Sequence, residues 1–271
     1  MKKFWLILKK LLLIASVICV AVMFVVVLTS AMEKQEQVQC KSLNVKIDYE
    51  SGLAFLTEED IKERINFLSG GTLEGKKINA IDFRTIEKEM EKNPYIKNAE
   101  IYSDRQQNVW VEILQKRPLI RVMNKDGVGY YISENNDRMP LSDKFTVRLV
   151  IALGNVQNNM PQRDSAVQNA LYNLVKFINK DVFLHALVDQ IEVIEEQNMN
   201  LIPKTGGHII YFGNPTEQVA EKFERLRTFY REGLTKVGWY KYKSINLKFE
   251  GQVVCEKADT VPAEAENNAT P

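Results

Sequence analysis

The sequence predicts an α+β protein: one N-terminal transmembrane helix, a small helix-and-strand domain, and then a mixed, mainly antiparallel β domain with two helices. Three observations carry this. Residues 11–31 form an unbroken apolar run. Residues 43–117 mix segments of period-two alternation with two segments of helical period. After Pro118 short strands dominate, separated by turn chemistry, with helical stripes at 165–178 and after Asn214.

The apolar run reads LLLIASVICVAVMFVVVLTSA from Leu11 to Ala31, with no charge inside it. About 20 helical residues at ~1.5 Å each cross the ~30 Å hydrocarbon core of a bilayer. Lys2, Lys3, Lys9 and Lys10 flank its N-terminal side, so the positive-inside rule keeps residues 1–10 in the cytoplasm and exports the rest. Trp5 suits the headgroup interface. A cleaved signal peptide is the alternative, Thr29 and Ala31 being small enough for a cleavage site. Signal-peptide cores run ~7–15 residues, and the greater length here favours an uncleaved anchor.

Residues 32–42 are polar and read as a linker, and residues 43–117 as the first domain. Within Ser42 to Asp48, Leu43, Val45 and Ile47 share one face of a half-buried strand. Thr57 is placed to cap a helix whose first turn, Glu58-Glu59-Asp60, suits the positive dipole end. Ile61, Ile65 and Leu68 form its buried face, and Gly70-Gly71 ends it. Asp82 caps a second helix, with Phe83, Ile86 and Met90 inward. Asn93-Pro94 stops that helix, because a residue before proline is pushed out of the helical region. Strands at 96–102 and 108–114 follow, joined by a turn at Arg105-Gln106-Gln107.

Residues 118–255 read as the second domain. Strands are expected at 119–123, 129–132, 147–153, 188–195 and 208–212, with turns at Asn124–Gly127 and Asn135–Asp137. In the helix at 165–178, Val167, Leu171, Leu174, Val175 and Ile178 fall on one stripe. Asn214-Pro215-Thr216-Glu217 reads as a helix start: an Asn cap, Pro at the first helical position and Glu two residues further on. Val219, Phe223, Leu226, Phe229 and Tyr230 line its inner side. Ser244–Phe249 and Val253-Val254 close the fold as strand. Residues 256–271 carry Val261 as their one large apolar group and read as a disordered tail.

Composition narrows the chemistry. Without the four N-terminal lysines the chain carries 32 basic against 35 acidic residues, a net of −3, which provides no basic face for nucleic acid. Cys19, Cys40 and Cys255 show no CxxC pairing and read as unlinked thiols; His185 and His208 stand apart from any metal-ligand spacing. No GxSxG, phosphate-binding glycine loop or HExxH is present. Glu58, Glu59 and Asp60 point in different directions around a helix and do not face one another. The reading is therefore not an enzyme, with no cofactor, no metal and no small-molecule substrate.

The wording of Phe55–Ile61, Asn93–Ile101, Gln115–Pro118, Gly129–Ile132 and Ile245–Phe249, taken in that order, resembles the FtsQ/DivIB family of bacterial cell-division proteins. Phe55–Ile61, Ile81-Asp82 before Ile86-Glu87, Asn93–Ile101 and Gln115–Pro118 resemble its POTRA domain, whose strand–helix–helix–strand–strand layout the first domain shares. Gly129–Ile132, Met139–Ser142, Ile209–Gly213 and Ile245–Phe249 resemble its β domain. The family often closes on Asp-Leu-Arg-Tyr; here Asn246-Leu247-Lys248-Phe249 lacks the phenol and arginine's bidentate fork. The resemblance implies a non-enzymatic divisome scaffold in the inner membrane at the septum, its bulk periplasmic, binding FtsB/FtsL-type bitopic proteins and linking them to septal peptidoglycan synthesis. Strand addition at a C-terminal sheet edge is the expected mode, with Trp239, Tyr240, Ile245, Leu247, Lys248 and Phe249 as partner-binding residues. A POTRA-bearing scaffold for envelope protein assembly and an extracytoplasmic ligand sensor are the alternatives.

Overall fold

The computed structural model describes residues 13–26, 38–48, 52–124, 127–156, 166–195 and 197–259. Residues 13–26 form helix α1, with Leu13, Val17 and Phe24 among its exposed apolar side chains. Among the described residues no helix is long and apolar enough to cross a membrane. The expected span is longer: residues 11–12 and 27–31, with the basic tail 1–10, lie outside the described residues. The chain divides into two compact units, Met1–Asp48 with Leu56–Gln115, and Tyr49–Phe55 with Lys116–Pro271.

The first unit runs β1 (Ser42–Asp48), α2 (Glu58–Leu68), a 3-10 turn (Ile78–Ala80), α3 (Phe83–Glu91), β2 (Ile96–Ser103) and β3 (Asn108–Gln115). β3 is the middle strand, parallel to β1 and antiparallel to β2. Local chemistry sets the helix starts. Thr57 Oγ1 accepts from Asp60 N–H at 3.2 Å while Asp60 Oδ2 accepts from Thr57 N–H at 3.0 Å, a reciprocal capping box. Asp82 Oδ1 accepts from Thr85 N–H at 3.1 Å. Ile61, Ile65, Ile86 and Met90 of the helices are buried, as are Ile96, Ile101, Val109, Val111 and Ile113 of the sheet.

Asp104 builds the β2–β3 turn. Its carboxylate accepts from the N–H groups of Gln106 (2.8 Å) and Asn108 (2.9 Å), from Asn108 Nδ2 (2.9 Å) and from Trp110 Nε1 (3.1 Å). These donors hold its pKa down at about 2.

The second unit is a nine-stranded sheet with helices on it. In chain order it contains β4 (Pro118–Asn124), β5 (Gly129–Ser133), β6 (Arg138–Pro140), β7 (Val150–Gly154), α4 (Ala166–Asn179), α5 (Val182–Leu187), β8 (Val188–Glu195), β9 (Asn198–Pro203) and β10 (Ile209–Gly213). Helix α6 (Val219–Thr228), β11 (Tyr242–Asn246) and β12 (Val254–Lys257) complete it. The strand order is β12-β11-β10-β9-β8-β7-β4-β5-β6. Pairs β10–β11, β7–β8 and β4–β7 are parallel and the others antiparallel. Leu171, Leu174, Val175, Ile178, Phe223 and Leu226 of the helices share one core with Ile120, Val122, Ile191, Leu201, Ile210 and Phe212 of the sheet. Each fully buried side chain of this kind contributes roughly 1.5–3 kcal/mol.

Three local expectations change. A third helix, α5, follows α4: Asp181 Oδ1 accepts from Leu184 N–H at 3.0 Å, and Leu184 and Leu187 are buried. Six residues are too few to reveal a helical period. Strands β6 and β9 stand where no strand was expected. The helix after β10 begins at Val219 and not at Pro215. Asn214 Oδ1 is taken by the N–H and hydroxyl of Thr216, at 3.0 and 2.8 Å, so it closes a tight turn. Gln218, at φ 48°, redirects the chain before the helix starts.

Helix α6 runs on through a π-helical turn, Phe229–Leu234, into a last α-turn, Thr235–Val237. A Cβ at Gly233 would sit 3.1 Å from the Phe229 ring, a tight contact that the ring would have to relieve by a few tenths of an ångström.

Candidate partner-binding edge

β11, which holds the first half of the expected strand Ser244–Phe249, has a strand on each side: β10 runs parallel to it and β12 antiparallel. The margin of the sheet is therefore β12. Its register pairs Ser244 with Glu256, Ile245 with Cys255 and Asn246 with Val254. On its far side no strand pairs with it among the described residues, and no described side chain takes up an amide of Val254–Lys257. Unpaired main-chain N–H and C=O groups of this kind are a template for another strand. The opposite margin, β6, is three residues long and ends in Pro140, which has no N–H to offer.

The hairpin leading into β12 is held to its neighbours. Leu247 N–H donates to Tyr211 O at 2.9 Å, prolonging the parallel pairing past β11. Arg225 of α6 donates from Nη2 to Leu247 O at 3.1 Å and to Phe249 O at 3.4 Å. Gln218 Nε2 donates to Glu250 Oε1 at 3.2 Å. Gly213, at φ +76°, lets the chain pass under Lys248: a Cβ there would lie 2.9 Å from Lys248 Cγ. The Lys248 ammonium rests 5.7 Å from the centre of the Tyr211 ring. A groove of about 540 Å³ opens beside the hairpin, lined by Arg225, Thr228, Phe229, Glu232, Gly251 and Val253.

The six residues expected to meet a partner divide into three sets. Ile245 and Leu247 are fully buried and belong to the core, so their side chains hold the sheet and cannot reach outward. Lys248 and Phe249 are exposed on the hairpin at the start of β12, Phe249 at 52%. Trp239 and Tyr240, each 42% exposed, lie towards the other end of β12, where Ala258 N–H donates to Lys241 O at 3.0 Å. Trp239 meets Tyr230 edge-on at 5.6 Å and borders a second groove of about 380 Å³ with Phe183, Arg227 and Arg231. Cys255, Glu256 and Lys257 were not anticipated as edge residues. Residues from 256 onward were expected to be tail, yet Glu256 and Lys257 are strand. A four-residue strand is too short for alternation to mark it.

Lys222, next to this region, is 5% exposed and donates from Nζ to Asn214 O at 2.8 Å. Burial pushes its pKa down, and nearby Arg225 and Lys248 add to the shift against the pull of Glu217. The three cysteines are free thiols, and among the described residues no group of His, Cys, Asp and Glu could hold a metal ion.

In chain order a three-stranded, helix-bearing module is followed by a sheet with an open margin and a groove beside it, a layout suited to a binding scaffold. A model of POTRA-like domains matches residues 38–114, and a model described as FtsQ/DivIB, C-terminal related, matches residues 117–256. The second match spans more than half of the 271 residues, and the chain belongs to the FtsQ/DivIB family. A search of curated proteins finds no match.

Proposed function

We propose that this chain is a membrane-tethered scaffold of the division machinery that captures bitopic partners of the FtsB/FtsL type by strand addition to β12, and through them is linked to septal peptidoglycan synthesis. The observation that carries the reading is the free margin of the nine-stranded sheet at Val254–Lys257. A partner segment pairs there main chain to main chain, and a side chain beside it enters the Arg225–Phe229–Val253 groove. Lys248 and Phe249 at one end of the strand, and Trp239 and Tyr240 at the other, select the partner. The unbroken apolar run 11–31 with lysines before it supports a single-pass inner-membrane anchor, cytoplasmic N-terminus and periplasmic bulk at the septum.

Co-purification of the full-length chain with small bitopic coiled-coil proteins tests this. Glu256→Pro removes a main-chain donor and disrupts the edge, and is expected to weaken capture on the order of 100-fold. Glu256→Ala removes an exposed ion pair with Lys243 and leaves the ladder intact, so its capture stays within about threefold. Undiminished capture by Glu256→Pro would move the site off β12.

A further inference from the structure

The first unit has its own strand margin at β2, and this one is occupied. Glu87 Oε1 accepts from Ile101 N–H at 2.7 Å, and Glu91 Oε1 accepts from Ala99 N–H at 3.4 Å. β2 lies at the end of the order β1-β3-β2, and from Asn98 to Ser103 its pairing with β3 is unbroken. Ala99, Ile101 and Ser103 share one parity along it. In an antiparallel ladder such alternate residues turn both main-chain groups the same way, and the carboxylate bonds show that this way is outward.

The fit is metrical. Glu87 and Glu91 stand four residues apart on α3, one turn of helix and ~6 Å of rise. Ala99 and Ile101 stand two residues apart on a strand, ~6.6 Å. The two carboxylates thus match two successive outward amides, with helix and strand running in opposite directions. From the side-chain pattern alone, Glu87 and Glu91 would read as solvated helix charges.

We infer that Glu87 and Glu91 are edge locks: they occupy the outward amides of β2 and so deny the POTRA-like unit's margin to any incoming strand, including β2 of a second copy of this chain. The role is one of specificity, and it goes beyond strand addition at β12 and does not depend on it. Two acceptor-only groups aimed at a strand margin also repel the carbonyls of an approaching strand, which a neutral cover would not do.

Hydrogen exchange resolved to single amides, on the full-length chain in detergent, tests this. Ser103 provides the internal reference, since its outward amide has no partner among the described residues. In the wild type, Ala99 and Ile101 are expected to exchange on the order of tenfold more slowly than Ser103. In E87A/E91A that difference vanishes, and sedimentation shows a larger species than wild type at matched concentration. E87Q/E91Q keeps a carbonyl acceptor at each place and retains slow exchange and wild-type size. Equal exchange at all three amides in the wild type would overturn the inference, even if E87A/E91A failed to fold. So would E87A/E91A with wild-type exchange and size.

Discussion

Arg225 reaches from helix α6 to the main-chain oxygen of Leu247, 3.1 Å from its Nη2. This bond anchors the turn between β11 and β12 at the residue where the chain leaves the sheet. Replacement by alanine frees two carbonyls and is expected to cost about 1–2 kcal/mol in urea unfolding, the range of hydrogen bonds to a charged donor with partial exposure. The buried Nε of Arg225 has no partner, which keeps the loss at the low end. Amide exchange across 248–253 should accelerate, and partner capture should fall with it. Unchanged exchange in the hairpin would show that the bond positions nothing.

Leu247 and Phe249 are two residues apart, the first buried in the core and the second exposed. Leu247→Ala opens a cavity in the core and is expected to lower stability by about 2–4 kcal/mol. Phe249→Ala changes an exposed ring and should leave stability within about 0.5 kcal/mol, while Phe249→Ala with Lys248→Ala lowers partner capture on the order of tenfold. Denaturation and co-purification on the same three proteins separate the two effects. If the double variant binds as wild type does, the hairpin is not part of the interface.

Asp104 couples the β2–β3 turn to acid. Its pKa is about 2 in the folded chain against 3.8 ordinarily, because the folded state supplies four donors. A depressed carboxylate contributes stability above its unfolded value that is lost as pH falls through the folded one. The turn should therefore loosen as pH falls from about 4 to about 2. Trp110, which donates to this carboxylate, reports the change by fluorescence. Asp104→Ala should show the loosened signal at neutral pH.

His208 is 1% exposed and its Nε2 pairs with the Tyr230 hydroxyl. Burial pushes its pKa below 6.5, partly opposed by the carbonyls of Gly206 and Trp239. Below pH ~6.5 the unfolded chain binds a proton that the folded chain resists, so stability falls with decreasing pH until the folded value is passed. His208→Gln should flatten that slope of unfolding free energy against pH. A slope unaltered by the substitution would assign it to other groups.

Features encoded within a few residues were readable from the sequence. The Thr57 cap, the Asp82 cap and the alternation of Val109, Val111 and Ile113 all express contacts close along the chain, and the first unit follows from them. Features fixed by distant pairing were not. Asn214 has the composition of a helix cap, yet its oxygen bonds Thr216 first. Ile245 and Leu247 alternate as a face should, but whether that face meets core or partner depends on where α6 lies. The margin fell to β12, and four residues between a turn and a polar tail carry no period to read.

The π-turn at Phe229–Leu234 has a geometric consequence. Such a turn is an α-helix carrying one surplus residue. Because the widened turn takes up that residue, excising one residue there would restore a regular helix and leave the downstream end near its present bearing. Excising one residue from the regular part of α6 instead would rotate everything after it by about 100° and draw it back by ~1.5 Å, swinging Trp239 off Tyr230. The helix thus tolerates a change of length at one place and loses the aim of its aromatic end at any other.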